Sequence, residues 1–389
     1  MKICIRLAQL LKIDEANMHG AITRIQRETG ISRDKVSELL HNRATQLKLE
    51  HLNALCDYLV KSGLVDEDDL PGALFAREAE HFWPILAARR TIRICAGVRR
   101  DPAWKDQLLL MATDSELQAK LIYGITANVP RNARGRPRHP LVIDPRMVLS
   151  PGQAGEGDAK VRRHAAQVYK AFAKESGDRA LICLGSVKSN AVIEHVMANS
   201  FRGARPFVSE DGVALPEDRS CPFMMLYRPK APRPKSCCGG EQLSHGDAGR
   251  GPGIYHELPD GSWQYCPWHA ELSDAAMVFY RLHKPNGRLE VVVGGFSVRG
   301  TRCLTDFLQR RARELGSPVY SDETVDIGAY ILSFGFRGQG KKKKKSIDPL
   351  DYEQPQSTEV HRLSEAVIQR RLKPPRAARQ AANGALAVE

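Results

Sequence analysis

Residues 21–60 read AITRIQRETGISRDKVSELLHNRATQLKLEHLNALCDYLV, and the spacing of their apolar side chains decides the N-terminal fold. Ile22 and Ile25 share one face of a helix that Gly30 closes, at a turn sharp enough to need a positive φ. Ile31 is apolar and fills the space between helices. Ser32 is placed to N-cap the next helix, over 32–42, whose Val36, Leu39 and Leu40 point back at spacing i, i+3, i+4. Leu47, Leu49, Leu52, Leu55 and Leu59 continue the same small core. What stays outward on the second helix is Arg33, Asp34, Lys35, Ser37 and Glu38, with Ser32 and Asn42 at its ends: a face of hydrogen-bonding groups with almost no apolar surface.

From about Leu7 to Tyr58 this stretch resembles the helix-turn-helix of the lambda-repressor type, the Cro/CI or XRE family. RIQRETGISRDKVSELLHNRATQLKLEHLNALCDYL follows that family's order of a helix ending in Gly, an apolar-Ser turn, a second helix and a capped, Leu-rich helix. Gln26 stands where many members carry Ala, and His41-Asn42-Arg43 replaces the commoner Glu-Arg-Gly, without loss of a core position. The resemblance implies double-stranded DNA as partner, with helix 32–42 in the major groove. Arg33 and Lys35 are then candidates to donate to guanine, Asp34 or Glu38 to accept from cytosine, and Ser37 to do either. Arg24, Arg27, Arg43 and Lys48 are candidates for phosphate contacts, which set register without reading sequence. A homodimer is implied as well, because one such helix covers a half-site. The other reading is a small helical protein-interaction module with the same seam.

Working outward, the chain has 389 residues with 58 Lys and Arg against 45 Asp and Glu, a formal charge of +13. That length predicts two or three folded units, and the 42% apolar content can fill their cores. No apolar run approaches the ~18 residues that cross a bilayer, so no membrane partner is expected. Arg6 and Gln9 interrupt the first apolar stretch, which therefore does not read as an export signal. Nine cysteines, at 4, 56, 95, 183, 221, 237, 238, 266 and 303, lack the regular spacing of a disulfide scaffold and fit reduced thiols in a cytoplasm, and the DNA-binding resemblance then implies a nucleoid-associated protein. The charge is uneven. Residues 1–63 hold ten Lys and Arg against seven Asp and Glu, whereas 336–389 hold twelve against six, five of them in the run Lys341–Lys345. The tail 337–389 is expected to be mostly disordered and basic, with a short helix possible at 361–372, adding salt-sensitive attraction to DNA.

The fold class expected is multidomain: an all-α helix-turn-helix domain over 1–66, a connector helix over 67–90 divided or kinked at Pro84, an α/β domain over 91–336 and the tail. Short β-branched runs alternate with helices from Thr91, and hairpin signals such as Pro-Asn-Gly at 285–287 predict a mixed, Rossmann-like sheet. Thr113 and Glu116 have capping-box spacing. Residues 129–157 read as a Pro/Gly/Arg-rich loop, and 229–253 as a loop-rich insertion.

Two turns in this domain are candidate ligand sites. LICLGSVKSNAVIEH puts Gly185, Ser186, Ser189 and Asn190 between a strand and a helix, and VVVGGFSVRGTRCL does the same with Gly294, Gly295, Gly300 and Thr301. Plain turn chemistry is the alternative. With CAGVRR and TDSELQAK these loops loosely resemble Rossmann-like sensor domains appended to bacterial repressor-type modules, which implies a nucleotide-like or phosphorylated effector. Gly335 to Lys341 satisfies G-x-x-x-x-G-K but lacks the following Ser or Thr, so it reads as an exit into the tail rather than a P-loop. Cys221, Cys237, Cys238, His245, His256, Cys266 and His269 are dense enough to weigh as a zinc site, yet no paired C-x₂-C exists, and no metal or cofactor is expected. Ser186, Glu194 and His195 do not form a catalytic set, since Ser186 and His195 lie more than two helical turns apart. The reading is a sequence-specific transcriptional regulator with a ligand-sensing domain and no enzymatic activity. Its alternatives are an enzyme acting on a nucleotide derivative, with the N-terminal module autoregulatory, and a phage-defence or toxin–antitoxin component.

Overall fold

A computed structural model describes residues 3–5, 7–11, 13, 18–41, 43–44, 46–70, 74–77, 82–101, 103–104, 107–132, 136–137, 139–150, 158–175, 177–202, 204, 206–207, 221–226, 251–316, 318–337 and 354–372. They build two separate hydrophobic cores. In the first, β1 (Ile3–Ile5), α1 (Leu7–Leu10), α2 (Met18–Thr29), α3 (Arg33–Leu40) and α4 (Leu49–Lys61) enclose Leu7, Ile25, Val36, Leu39, Leu55 and Leu59, all fully buried. Gly30 adopts φ +72° between α2 and α3, as the sharp turn requires. Ser32 has extended backbone at the N-cap of α3, but its side chain makes no cap bond. Leu49 corrects the expected seam: it is 76% exposed, and the inward row of α4 begins at Leu52.

The expected connector helix over 67–90 is not one element. Residues 67–69 form a single 3-10 turn, β2 (Phe75–Arg77) pairs antiparallel with β1, and α5 (Phe82–Ala87) follows. Leu74 and Phe75 pack on the first core, whereas Phe82, Ile85 and Leu86 belong to the second. The helical N-terminal region thus also carries one short strand pair, and its second strand at 75–77 falls in the span expected as connector. Pro84 is the third residue of α5 as described.

The second core lies on a nine-stranded mixed sheet. In chain order its neighbourhood comprises β3 (Thr91–Arg100), β4 (Leu108–Leu110), α6 (Ala112–Ala127), β5 (Val142–Leu149), α7 (Asp158–Lys174), β6 (Arg179–Leu184) and α8 (Val192–Ser200). A separate three-stranded sheet follows, of β7 (Phe223–Leu226), β8 (Gly253–Glu257) and β9 (Trp263–Pro267). The chain then returns as β10 (Ser273–His283), β11 (Arg288–Gly295), α9 (Val298–Arg311), β12 (Tyr320–Ser321), β13 (Val325–Gly335), β14 (Ser357–Arg362) and α10 (Glu365–Arg371). The main sheet runs β12-β13-β10-β11-β6-β3-β4, with β14 also beside β13 and β5 beside β3. β5, β3, β6 and β11 are mutually parallel, and the remaining pairs are antiparallel. The hairpin expected at Pro-Asn-Gly forms, turning at Gly287 (φ +67°), and β8 and β9 make a second one turning at Gly261 (φ +85°). Among the described residues no helix is long and apolar enough to cross a membrane.

Three further expectations are corrected. The loop at 129–157 contains β5, in register with β3 from Thr91↔Val142 to Val98↔Leu149; its Asp144-Pro145-Arg146 suits an edge strand, where Pro costs no ladder bond. α6 starts at Ala112 behind Met111, so Thr113 lies inside the first turn and does not cap with Glu116. The tail is folded in its middle: β14 pairs with β13 from Gly335↔Ser357 to Tyr330↔Arg362, and α10 buries Val367 and Ile368. Residues 338–353 and 373–389 lie outside the described residues. β14 and α10 hold because Ser364 caps α10 by accepting from Val367 N at 3.3 Å, and because the buried Glu257 carboxylate accepts from Arg370 Nη2 at 2.7 Å and Arg371 Nε at 2.8 Å. Each apolar side chain buried here contributes about 1.5–3 kcal/mol. Ending the chain after residue 353 is therefore expected to lower the melting temperature by more than 5 °C in a circular-dichroism melt; an unchanged melt would mean that the return segment is not part of the fold.

Candidate DNA interface and ligand pocket

α3 stands on buried Val36, Leu39 and Leu40 and turns its polar side outward. Arg33, Asp34 and Ser32 are exposed, while Lys35, Ser37 and Glu38 are half-buried. Arg33 Nη2 meets His19 Nε2 of α2 at 2.6 Å, and Lys35 Nζ pairs with Glu38 Oε2 at 2.8 Å. Surface pairs of this kind hold by about 0–1 kcal/mol, so a base edge or phosphate can displace them. Arg24 and Arg27 are exposed on α2, Arg27 pairing with Glu28 at 3.2 Å, and Lys48 pairs with Glu50 at 3.4 Å. Arg43 pairs with Glu323 between β12 and β13, another exposed surface pair of the kind a phosphate can displace. Asn42 lies outside the described residues.

Residues 6–60 match the family model of the Cro/C1-type HTH DNA-binding domain. This segment is a DNA-binding domain of that type. The match spans the α1–α4 core and includes every described candidate on α2 and α3. Neither a curated protein nor a solved structure matches the chain. The Cro/C1-type domain thus occupies one end of the protein, and the larger sheet domain must be read from its own chemistry.

In that domain a cavity of about 340 Å³ opens where the parallel strands β3, β6 and β11 end. Arg99, Asp114, Ser186, Lys188, Trp268 and Phe296 are among the residues that line it. Its floor depends on backbones packed too closely for side chains. Gly185 adopts φ +89°, and a Cβ on Gly294 would collide with the Gly185 carbonyl. Trp268 and Phe296 form one wall, with ring centroids 6.2 Å apart.

Of the candidate ligand residues, the structure brings Gly185, Ser186, Ser189, Gly295 and Thr301 to the cavity and spends several of their polar groups on the fold. Ser189 Oγ accepts from Ser186 N at 3.0 Å and donates to Ser186 O at 3.1 Å. Asn190 is fully buried and does not line the cavity: its Nδ2 donates to Cys95 O at 2.9 Å and Leu184 O at 3.1 Å, and its Oδ1 accepts from Val192 N at 3.1 Å. At α9 the expected loop is already helix from Val298. Gly300 N donates to the buried Asp274 carboxylate at 3.0 Å, and Thr301 N donates to Ser297 O at 2.9 Å. Asn190 and Gly300 thus hold the loops in place rather than offering donors to a ligand. Burial pushes the Asp274 carboxyl up to about 6 against the pull of its Ser297 and backbone donors and of Arg299.

Sequence reasoning missed Thr113 and Asp114 as site residues, and with them Arg99, Lys188 and Trp268. The signal was present: Asp114 heads the row Asp114, Leu117, Leu121, Ile125 that faces the core, a carboxyl at the end of an apolar stripe. Asp114 is 5% exposed, and among the described residues its side chain has no hydrogen bond or ion-pair partner. Burial raises its pKa to about 6, with Arg99 pulling the other way. Thr113 and Ser186, also nine-tenths buried at the cavity, have hydroxyls without a hydrogen bond among the described residues. Elsewhere in the domain Ser150, Ser200 and Thr305 donate to carbonyls and Asp326 pairs with Lys284, while Glu290 Oε2 is buried without a hydrogen bond among the described residues.

The remaining motifs give less. His195 stacks between Tyr169 and Phe207, at 5.7 and 5.5 Å, and does not line the cavity, while Glu194 accepts from Phe207 N. Among the described residues no three potential metal donors converge; Cys237, Cys238 and His245 of the weighed zinc site lie outside them. His256 instead packs against His361 at 5.5 Å, and burial with that neighbour pushes its pKa down to about 4. In the G-x-x-x-x-G-K stretch Gly335 is still paired with Ser357, and residues 338–341 are outside the described set. A depression of about 610 Å³ between α2 and α4 is lined by Arg24, Glu28, Asp57 and Lys61, which are exposed and need no ligand.

Two stability predictions follow from the cavity. Gly294→Ala forces a methyl group into the backbone at Gly185 and is expected to cost about 1–3 kcal/mol in urea unfolding. Asp114→Asn tests the burial of charge. Because the folded carboxyl titrates near 6 and the unfolded one near 3.8, the folded state holds the extra proton between these values, and native stability falls as pH rises through them. The Asn variant does not titrate, so its melting temperature relative to wild type is expected to rise from pH 4 to pH 7; a pH-independent difference would show that Asp114 is solvated.

Proposed function

We propose that the protein is a sequence-specific transcriptional regulator that works as a homodimer on double-stranded DNA and is controlled by a small effector in its α/β domain. The observation that carries this reading is the polar outer side of α3, held on Val36, Leu39 and Leu40 inside a Cro/C1-type domain. A helix so presented reaches base edges in the major groove, and two copies one DNA turn apart read a two-fold site. The effector part is supported by the cavity's position beyond the carboxyl ends of parallel strands, where open α/β sheets take ligands. Binding without turnover is the reading for this domain, because the described cavity lining contains no His or Cys and its one carboxyl, Asp114, has no partner to orient it. A DNA-bound role places the protein in the cytoplasm, at the nucleoid.

Genomic fragments retained by the purified full chain identify its site. On that site Arg33→Ala combined with Lys35→Ala is expected to reduce affinity at least tenfold with an unchanged melting temperature, since each bidentate base contact is worth about 1–3 kcal/mol. Unaltered affinity in a gel-shift titration would remove α3 from the interface.

A further inference from the structure

Buried polar groups in folded proteins are almost always hydrogen-bonded, and leaving one unmade costs free energy. In the α/β domain buried atoms without a bond among the described residues occur at scattered places, His195 Nε2, Arg281 Nε and Glu290 Oε2 among them, but none of those residues lines the cavity, where three such side chains meet. Thr113, Asp114 and Ser186 are 4%, 5% and 7% exposed, all three line the same cavity, and none has a side-chain hydrogen bond among the described residues. They come from two elements, the first turn of α6 and the turn after β6, so their convergence is a property of the fold. The cavity around them is not a soft gap, because Gly185 and Gly294 lock its floor.

The groups fall into three kinds. A carboxyl and two hydroxyls are buried and suit a ligand part rich in hydroxyl or N–H donors. Arg99 and Lys188 bring positive charge to the same lining and suit an anion, while half-buried Trp268 supplies an aromatic surface for a flat ring. The volume of about 340 Å³ lies at the small end of ligand pockets, which run from about 300 to 1,000 Å³. We propose that this cavity is a binding site for a nucleoside monophosphate, whose phosphate meets Lys188 and Arg99, whose base lies against Trp268, and whose donor groups are read by Asp114, Thr113 and Ser186. The proposal rests on the effector reading above and names its ligand class. Asp114 is then the specificity-determining group: as a carboxylate it accepts two donors at once, a pattern that an asparagine cannot reproduce.

The test is titration calorimetry of the full chain with 5′-AMP and 5′-GMP, alongside adenosine, guanosine, ribose 5-phosphate and inorganic phosphate. At least one nucleotide is expected to saturate the protein, with its nucleoside, ribose 5-phosphate and phosphate each at least tenfold weaker. Asp114→Asn and Lys188→Ala are each expected to weaken the nucleotide at least tenfold in a protein that still melts cooperatively, while Glu359→Gln on β14 leaves it unchanged. No saturation by either nucleotide at millimolar concentration overturns the proposal. Equal binding of ribose 5-phosphate overturns the stacked base, and nucleotide affinity indifferent to both variants puts the ligand elsewhere. A gel shift on the selected DNA with and without the bound nucleotide keeps the two readings apart: nucleotide bound at Asp114 without change in DNA affinity leaves this site standing and removes the sensor role, whereas DNA binding with no nucleotide bound does the reverse.

Discussion

Where β3 and β6 part, after Cys95↔Cys183, the carbonyls of Cys95 and Leu184 need hydrogen-bond partners in a fully buried place. The side-chain amide of Asn190 supplies both donors and with its oxygen holds Val192 N at the start of α8. One residue thus lets two parallel strands separate without orphaned backbone, and the cavity lies beyond that separation. Beside it the residue after β6 runs on against β11, Gly185 N donating to Val293 O at 2.9 Å, and Gly294 lies so close to the Gly185 backbone that there is no room for a side chain. Asp274 repeats the device at α9, where its buried carboxylate accepts from the Ser297 hydroxyl at the N-cap and from Gly300 N.

The two ends of the protein show opposite uses of polar chemistry. In the Cro/C1-type domain the core is apolar and local, and the polar groups stand outside on α3 in weak surface pairs that a partner can replace. In the sheet domain polar groups are carried inward. Some are tied to backbone, as Ser150 and Thr305 are, and three without a side-chain bond among the described residues, Thr113, Asp114 and Ser186, meet at one cavity.

Legibility in the sequence tracked how local each signal is. The helices around Gly30 were readable because Ile22, Ile25, Val36, Leu39 and Leu40 repeat within single turns, and the hairpin at Gly287 because Pro-Asn-Gly states its own geometry. β5 and β14 were not readable, since edge strands with Asp144-Pro145-Arg146 or Ser357-Thr358-Glu359 carry no apolar alternation and exist only through a distant partner. The β1–β2 pair failed for the same reason, with three residues on each side and some seventy between them. For the pocket, the glycines mark the loops in the sequence, whereas Asn190, a ligand candidate by residue type, braces backbone in the structure. Polar residue type alone does not reveal whether a buried amide faces backbone or cavity. Asp114 was visible only as a break in an apolar stripe.

The return of β14 and α10 to the sheet sets an order of events during synthesis. The DNA-binding core is complete once residue 77 has left the ribosome, whereas the main sheet waits for residue 372 and the arginines that cover Glu257. At roughly 5–20 residues per second the interval lasts roughly 15–60 s. For that time a finished DNA-binding head is tethered to a nascent sheet lacking its last strand, and chaperones that shield the open edge of β13 would meet the chain in this window.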